Sequence, residues 1–167
     1  MPLRPGRCYR RIKGPPYTRL EYISSIPPVN IAKFEDGDPH GNFDITLHLV
    51  VLEDGQIRSN ALEAARVIAT RYLSTEVGSQ NYFFKLRVFP HHILRENKMI
   101  AGAGADRLQD GMRLAFGTPI GRAARVRRGQ EVITIRTRRQ FIEQAKEALR
   151  RAASKLPLPC KIVIQSG

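Results

Sequence analysis

Histidines, cysteines and paired carboxylates are the residues through which a chain of 167 residues would do metal or acid–base chemistry, and few of them are well spaced here. His91 and His92 are adjacent. On extended backbone such neighbours point to opposite faces, and no carboxylate or thiol close by completes a metal site. His40 and His48 form no constellation with them in sequence. Glu35, Asp36 and Asp38 could serve as paired acids for hydrolysis, but they sit in a Gly-Asp-Pro turn and read better as a solvated acidic turn. Cys8 and Cys160 are the only cysteines, so neither a disulfide framework nor a zinc site is expected. Gly102 and Gly104 begin a G-x-G pattern, yet Arg107 holds the third position and the strand-to-helix context is missing. No Gly-Lys-Ser or Gly-Lys-Thr occurs. No cofactor, metal or catalytic residue is expected, and the chain reads as a non-enzyme.

Charge points elsewhere. The formal net charge is +13, carried by 28 basic residues of which 21 are Arg and 7 are Lys. Guanidinium forks suit bidentate phosphate contacts and base stacking better than ammonium groups do, so the ratio favours nucleic acid as the neutralising polyanion. The charge is also segregated. Residues 1–20 hold six cations and no acid, residues 21–63 hold eight acids against Lys33 and Arg58, and residues 119–167 hold twelve cations against three acids. That pattern predicts one acidic or neutral side and a basic face fed by the N-terminal segment, a loop and the C-terminal region, with the acidic turn facing away from RNA. Of His91 and His92, one is expected to be packed and one to face RNA.

The candidate RNA-contacting residues are Arg4, Arg7, Tyr9, Arg10, Arg11, Lys13 and Arg19 in the first segment, then Arg122, Arg125, Arg127, Arg128, Arg138 and Arg139. Residues 1–20 interleave these with Pro2, Pro5, Gly6, Gly14, Pro15 and Pro16, which resist helix and sheet alike. They read as an extended arm that orders on its partner, with tyrosines as stacking platforms. Arg138, Arg139, Arg150 and Arg151 flank the ends of a predicted helix, where phosphate and solvent readings weigh equally.

The elements that must position these side chains follow from periodicity. Residues 43–51 alternate as a half-buried strand, Asp54-Gly55 marks a turn, and Asn60 with Glu63 offers a cap for a helix over 60–77. Leu62, Ala65, Ala69, Tyr72 and Leu73 form its apolar stripe. A strand over 82–89 ends at Pro90, another spans 131–136, and Thr137 with Gln140 forms a capping box for a second helix with Phe141, Ala145, Ala148, Leu149 and Ala152 on one side. Leu156-Pro157 stops it, and 161–165 is a closing strand. The class is α+β, one domain over 1–167, with two helices packed on mixed or antiparallel strands. No run of eighteen apolar residues and no secretion-signal core occurs, so a cytoplasmic protein with no membrane partner is expected.

Between the two strand–helix–strand runs, residues 98–125 carry Gly102, Gly104, Gly111, Gly117 and Gly121, which break any helical or strand period. A compact domain seldom holds so long a loop for structural reasons. Its glycines allow close backbone approach, while Arg107, Arg113, Arg122 and Arg125 can neutralise phosphates. An RNA-modifying or nucleotide-dependent enzyme using this loop as a substrate lid is the alternative reading. It lacks a nucleophile, base and orienter on the loop or strand ends.

These residues also carry a likeness. Ala103-Gly-Ala-Asp-Arg-Leu-Gln-Asp-Gly-Met-Arg113, Ala115-Phe-Gly-Thr-Pro119 and Ala124-Arg-Val126 resemble the central signature of the archaeal and eukaryotic large-subunit ribosomal protein family called L ten-e, counterpart of bacterial L sixteen. Arg4-Pro-Gly-Arg-Cys-Tyr-Arg10, Tyr17-Thr-Arg-Leu-Glu-Tyr-Ile23, Ala61-Leu-Glu-Ala-Ala-Arg66 and Phe89-Pro-His-His-Ile-Leu-Arg-Glu-Asn-Lys98 resemble the same family in the same order, in its archaeal version. The resemblance implies an α/β-hammerhead-like domain seated in large-subunit rRNA beside the small ribosomal RNA of the central protuberance and neighbouring ribosomal proteins. It also implies that the loop over 99–122 points toward tRNA acceptor ends near the peptidyl transferase centre. Ala103, Asp106, Arg107, Gln109, Gly111, Met112 and Arg113 would then lie at its tRNA-facing tip.

Overall fold

Residues whose apolar side chains recur with period two build the centre of the fold. The computed structural model describes residues 4–97 and 117–166. Among these, the strands are β1 (Glu35–Gly37), β2 (Ile45–Val51), β3 (Gly55–Arg58), β4 (Tyr82–Leu86), β5 (His92–Glu96), β6 (Thr118–Val126), β7 (Glu131–Thr137) and β8 (Cys160–Ser166). The helices are α1 (Ser59–Glu76) and α2 (Ile142–Ala153). The class is α+β, as expected, and every strand pair is antiparallel.

The larger sheet has the order β1-β4-β7-β2-β8. In it β2 and β4 run the same way on either side of β7, and β7 and β8 run the same way on either side of β2. Each helix therefore joins two parallel strands with a third between them, and the two split β-α-β units interlock. The smaller sheet, β3-β6-β5, is made of insertions: β3 precedes α1, and β5 and β6 separate β4 from β7.

Register sets the core. Ile45, Thr137 and Tyr82 form one cross-strand row, Leu47, Ile135 and Phe84 the next, and Leu49, Ile133 and Leu86 the third. Against these rows pack Leu62, Ala65, Ala69 and Leu73 of α1 and Ala145, Ala148, Leu149 and Ala152 of α2, all fully buried. Truncating one such leucine to alanine costs about 2–5 kcal/mol, a large share of a small domain's stability. On the other face, His48 contacts Thr134 Oγ1 at 3.0 Å and Glu131 at 3.2 Å, and Arg136 lies over the Phe83 ring.

Several expectations need correction. Neither predicted helix cap forms: the Glu63 carboxylate takes two hydrogen bonds from Arg66, and the Thr137 hydroxyl donates to the Asn81 carbonyl. A 3₁₀ turn over Arg139–Phe141 leads into α2 instead. The strand expected over 82–89 stops at Leu86, and β5 follows Pro90. The stretch over 98–125 is not aperiodic throughout, because from Thr118 onward it is β6, whose edges are satisfied on both sides by β3 and β5. The acidic cluster is only in part a solvated turn, which begins at Asp38 after a short strand. Glu35 begins β1 and pairs with Lys85, Asp36 accepts the Tyr82 hydroxyl at 2.6 Å, and Asp38 accepts the His40 amide.

Gly37 closes β1 with φ +90°, and a Cβ there would collide with the Tyr82 carbonyl. Gly37→Ala is expected to lower the unfolding free energy by about 1–3 kcal/mol, read as a reduced denaturation midpoint at unchanged m-value.

Candidate nucleic-acid interface

The N-terminal segment carries the densest run of cations, and its prolines and glycines leave it no regular hydrogen-bond ladder of its own. It has two short 3₁₀ turns near it, Gly6–Cys8 and Leu20–Tyr22. The expected free arm is instead a strap laid across the smaller sheet. Arg58 donates to the Arg4 carbonyl at 2.8 Å, and the Gln56 amide donates to the Arg10 carbonyl at 2.8 Å. Arg125 donates to the Gly14 carbonyl at 2.7 Å, and the Ile93 amide donates to the Tyr17 carbonyl at 3.1 Å. Salt bridges of 2.6 Å join Arg4 to Glu96 and Arg10 to Glu53. Part of the negative excess over 21–63 is thus spent holding the body's own strap.

His92 is buried, and its Nδ1 accepts the Tyr17 amide at 2.9 Å. Burial, then the positive charges of Arg125, Arg95 and His91, push its pKa down to about 4. The ring is therefore neutral at pH 7, with its proton on Nε2. Arg125 Nη2 lies 3.4 Å from both ring nitrogens, which places the guanidinium over the ring. His91 is exposed, so the expectation of one packed and one outward histidine holds as far as packing goes.

The tyrosines do not stand free for bases. Arg58 lies 5.6 Å from the Tyr9 ring centre and Arg95 4.6 Å from that of Tyr17. Tyr9 is half-buried, and its phenol is raised by that burial. Arg125 is likewise turned inward: its donors go to strap carbonyls, and burial lowers its pKa. Arg122 is half-buried on β6, with Nε enclosed and unbonded.

The remaining cations face outward. Arg7, Arg11, Lys13 and Arg19 on the strap are exposed and form no ion pair among the described residues. Arg127 and Arg128 project from the β6–β7 turn, which Asp54 fixes by accepting the Arg128 amide at 2.6 Å and Gly129 completes at φ +85°. Arg138 and Arg139 are exposed and unpaired among the described residues at the entry to α2, where cations oppose the helix dipole. Arg150 and Arg151 are paired with Glu147 instead. That asymmetry separates two groups that sequence alone weighed equally. Ala103, Asp106, Arg107, Gln109, Gly111, Met112 and Arg113 lie outside the described residues.

Three positions with structural roles here escaped sequence reasoning: Gln56, Arg58 and Gly55. The one available signal was Gln56 itself, between Gly55 and Ile57, which the Asp-Gly turn reading absorbed.

Among the described residues, no group of three or more His, Cys, Asp or Glu could hold a metal, and no helix is long and apolar enough to cross a membrane. An α+β body that clamps a basic strap and leaves unpaired arginines on its strap, turn and helix entry belongs to the class of polyanion-binding proteins. The family model described as ribosomal protein L16p/L10e matches residues 12–163. The chain is 65% identical to the large ribosomal subunit protein uL16 of Thermofilum pendens over 167 residues, covering 100% of this chain and 99% of that protein. It is 65% identical to the uL16 of Staphylothermus marinus, covering 99% of this chain and 95% of the relative. For Hyperthermus butylicus uL16 the identity is 61%, covering 97% and 93%. The chain belongs to the ribosomal protein L16p/L10e family.

The depressed His92 pKa fixes a pH dependence. A histidine that titrates at about 4 when folded and at about 6.5 in the unfolded chain contributes stability that is complete above pH 6.5 and is lost as pH falls toward 4. Protection of the Tyr17 amide, corrected for intrinsic exchange, is expected to hold steady above pH 6.5 and to decline below it. His92→Asn, which keeps an acceptor but cannot titrate, should flatten the decline.

Proposed function

We propose that this chain is a structural constituent of the large ribosomal subunit that binds rRNA through its strap, the β6–β7 turn and the entry to α2. It acts in the cytoplasm and carries out no chemistry itself. Membership of the family supports the ribosomal role, and the observation that carries the RNA reading is the set of exposed, unpaired cations on one chain with net charge +13. Arg7, Arg11, Lys13, Arg19, Arg127, Arg128, Arg138 and Arg139 contact phosphates. Arg4, Tyr9, Arg10, Arg122 and Arg125 hold or shape the surface from which those cations project. Recognition of this kind reads backbone and shape more than base sequence.

The finer reading places the chain beside the small ribosomal RNA of the central protuberance, with neighbouring ribosomal proteins around it. The segment over 99–122 faces tRNA acceptor ends, and Arg107 and Arg113 supply the cations of its tip. The resemblance in that segment supports this assignment.

Binding to large-subunit rRNA should weaken steeply with salt, with a logarithmic slope of about 0.7–0.9 per phosphate neutralised. Replacing Arg7, Arg11 and Lys13 together by alanine is expected to lower that slope by about 2–3, with little change in thermal midpoint, because all three side chains are exposed. An unchanged slope would remove the strap from the RNA surface. For the loop, a photo-crosslinker at Arg107 in large subunits carrying an acceptor-end tRNA fragment is expected to link to the tRNA terminus or adjoining rRNA. Links to distant rRNA alone, or none, would refute the tRNA assignment.

A further inference from the structure

Each proline in a segment keeps its backbone acceptor but lacks a backbone donor. In the strap, Pro15 and Pro16 have no N–H at all. At Pro5, Pro15 and Pro16 the strap can only accept, which interrupts a ladder at both ends of residues 6–14. The strap can be held by side chains that are rich in donors, and the glutamine amide and the guanidinium are two of these.

Gln56 on β3 and Arg125 on β6 stand directly opposite one another in the small sheet. Gln56 donates from its backbone N to the Arg10 carbonyl, and from Nε2 to the carbonyls of Tyr9 at 2.9 Å and Arg11 at 3.0 Å. Arg125 donates to the carbonyl of Gly14 at 2.7 Å and to those of Lys13 and Pro15 at 3.3 Å each. One cross-strand pair thus gathers the carbonyls of residues 9–11 and 13–15. The Arg125 guanidinium is half-buried with carbonyls for hydrogen-bond partners and no carboxylate, an arrangement that leaves its full charge on the molecule. Gly55 completes the seat, since a Cβ there would stand 2.9 Å from the Arg10 carbonyl and 2.6 Å from Leu158 Cδ2.

We infer that Gln56 and Arg125 are positioning residues that pre-form the RNA-binding strap in the free protein, turning its carbonyls to the body and its cations, Arg7, Arg11 and Lys13, to the partner. The inference rests on the reading that the strap binds rRNA. It reverses the usual behaviour of a basic, proline-rich tail, which orders only on its partner and loses affinity to that ordering. Arg125 acts through the strap and not on phosphate.

The test pairs a measurement on the free protein with one on the complex. In the unaltered free protein, backbone order parameters for residues 9–13 should match those of α1 and α2; values typical of a flexible tail would overturn the inference without touching the assignment of rRNA as partner. Gln56→Ala and Arg125→Lys should each loosen residues 9–13 and weaken rRNA binding by about 10- to 100-fold while leaving the salt slope unchanged. The lysine variant decides the mechanism, because it keeps the charge and loses the fork. Binding by Arg125→Lys equal to the unaltered protein, or a fall in slope of about 0.7–0.9 in Arg125→Ala, would mean that Arg125 meets phosphate directly and would overturn the positioning role. Helix amide protection identifies any variant that unfolds globally, and in that case the order parameters of the unaltered protein decide alone. Absence of any salt-dependent rRNA binding by the unaltered protein would sink the functional reading and not the strap geometry.

Discussion

A guanidinium partly withdrawn from water needs acceptors, and how the half-buried Arg125 finds them for its Nη groups, while its Nε stays enclosed and unbonded, governs the basic face. The partners of its Nη groups are backbone carbonyls from the strap, so supplying them and docking the strap are one event. The β3–β6 register sets Gln56 beside it, and neutral His92 beneath it receives the Tyr17 amide. A carboxylate partner would have neutralised Arg125 and left the carbonyls of residues 13–15 without the donors that now hold them.

The interlocked sheet and the small sheet divide the work. The first holds the long apolar rows and both helices, and its stability comes from burial. The second is short and made from insertions, and its polar side chains Gln56, Arg58, His92, Glu96 and Arg125 serve the strap. Acidic residues concentrated in one part of the chain follow this division: Glu53 and Asp54 tie down the strap and the β6–β7 turn, while Glu35, Asp36 and Glu63 stitch the body. Most of the outward charge left over is positive.

Much of the large sheet and both helices were legible because β2, α1, β4, α2 and β8 carry long apolar periods that survive any detail of packing. The small sheet was not. β3 is four residues long and opens with a glycine, and β6 contains Pro119 and Gly121 followed by Arg-Ala-Ala-Arg, which imitates a basic loop. Its strand character comes from pairing with β3 and β5 at long range. The helix caps failed for a different reason: the Glu63 and Thr137 side chains found better partners in Arg66 and Asn81 than the helix ends offered. The cations of the site were all legible by type, but their directions were not. Nothing in sequence distinguishes an arginine that grips the strap, such as Arg125, from one that projects from it, such as Arg11.

The interleaving of the two split units bears on how the chain is made. β2 and β4 are not neighbours, and the strand that joins them, β7, comes after residue 130. A nascent chain that has emerged through β4 has its first helix and two central strands but no common partner for them. The large sheet forms only when β7 slots between strands already made, so its closure follows synthesis of most of the molecule and involves contacts distant in sequence. Until then the apolar rows of β2 and β4 stand open while the cations of residues 1–20 are already exposed. Both the apolar rows and the densest run of cations therefore precede, in order of synthesis, the strand that completes the large sheet.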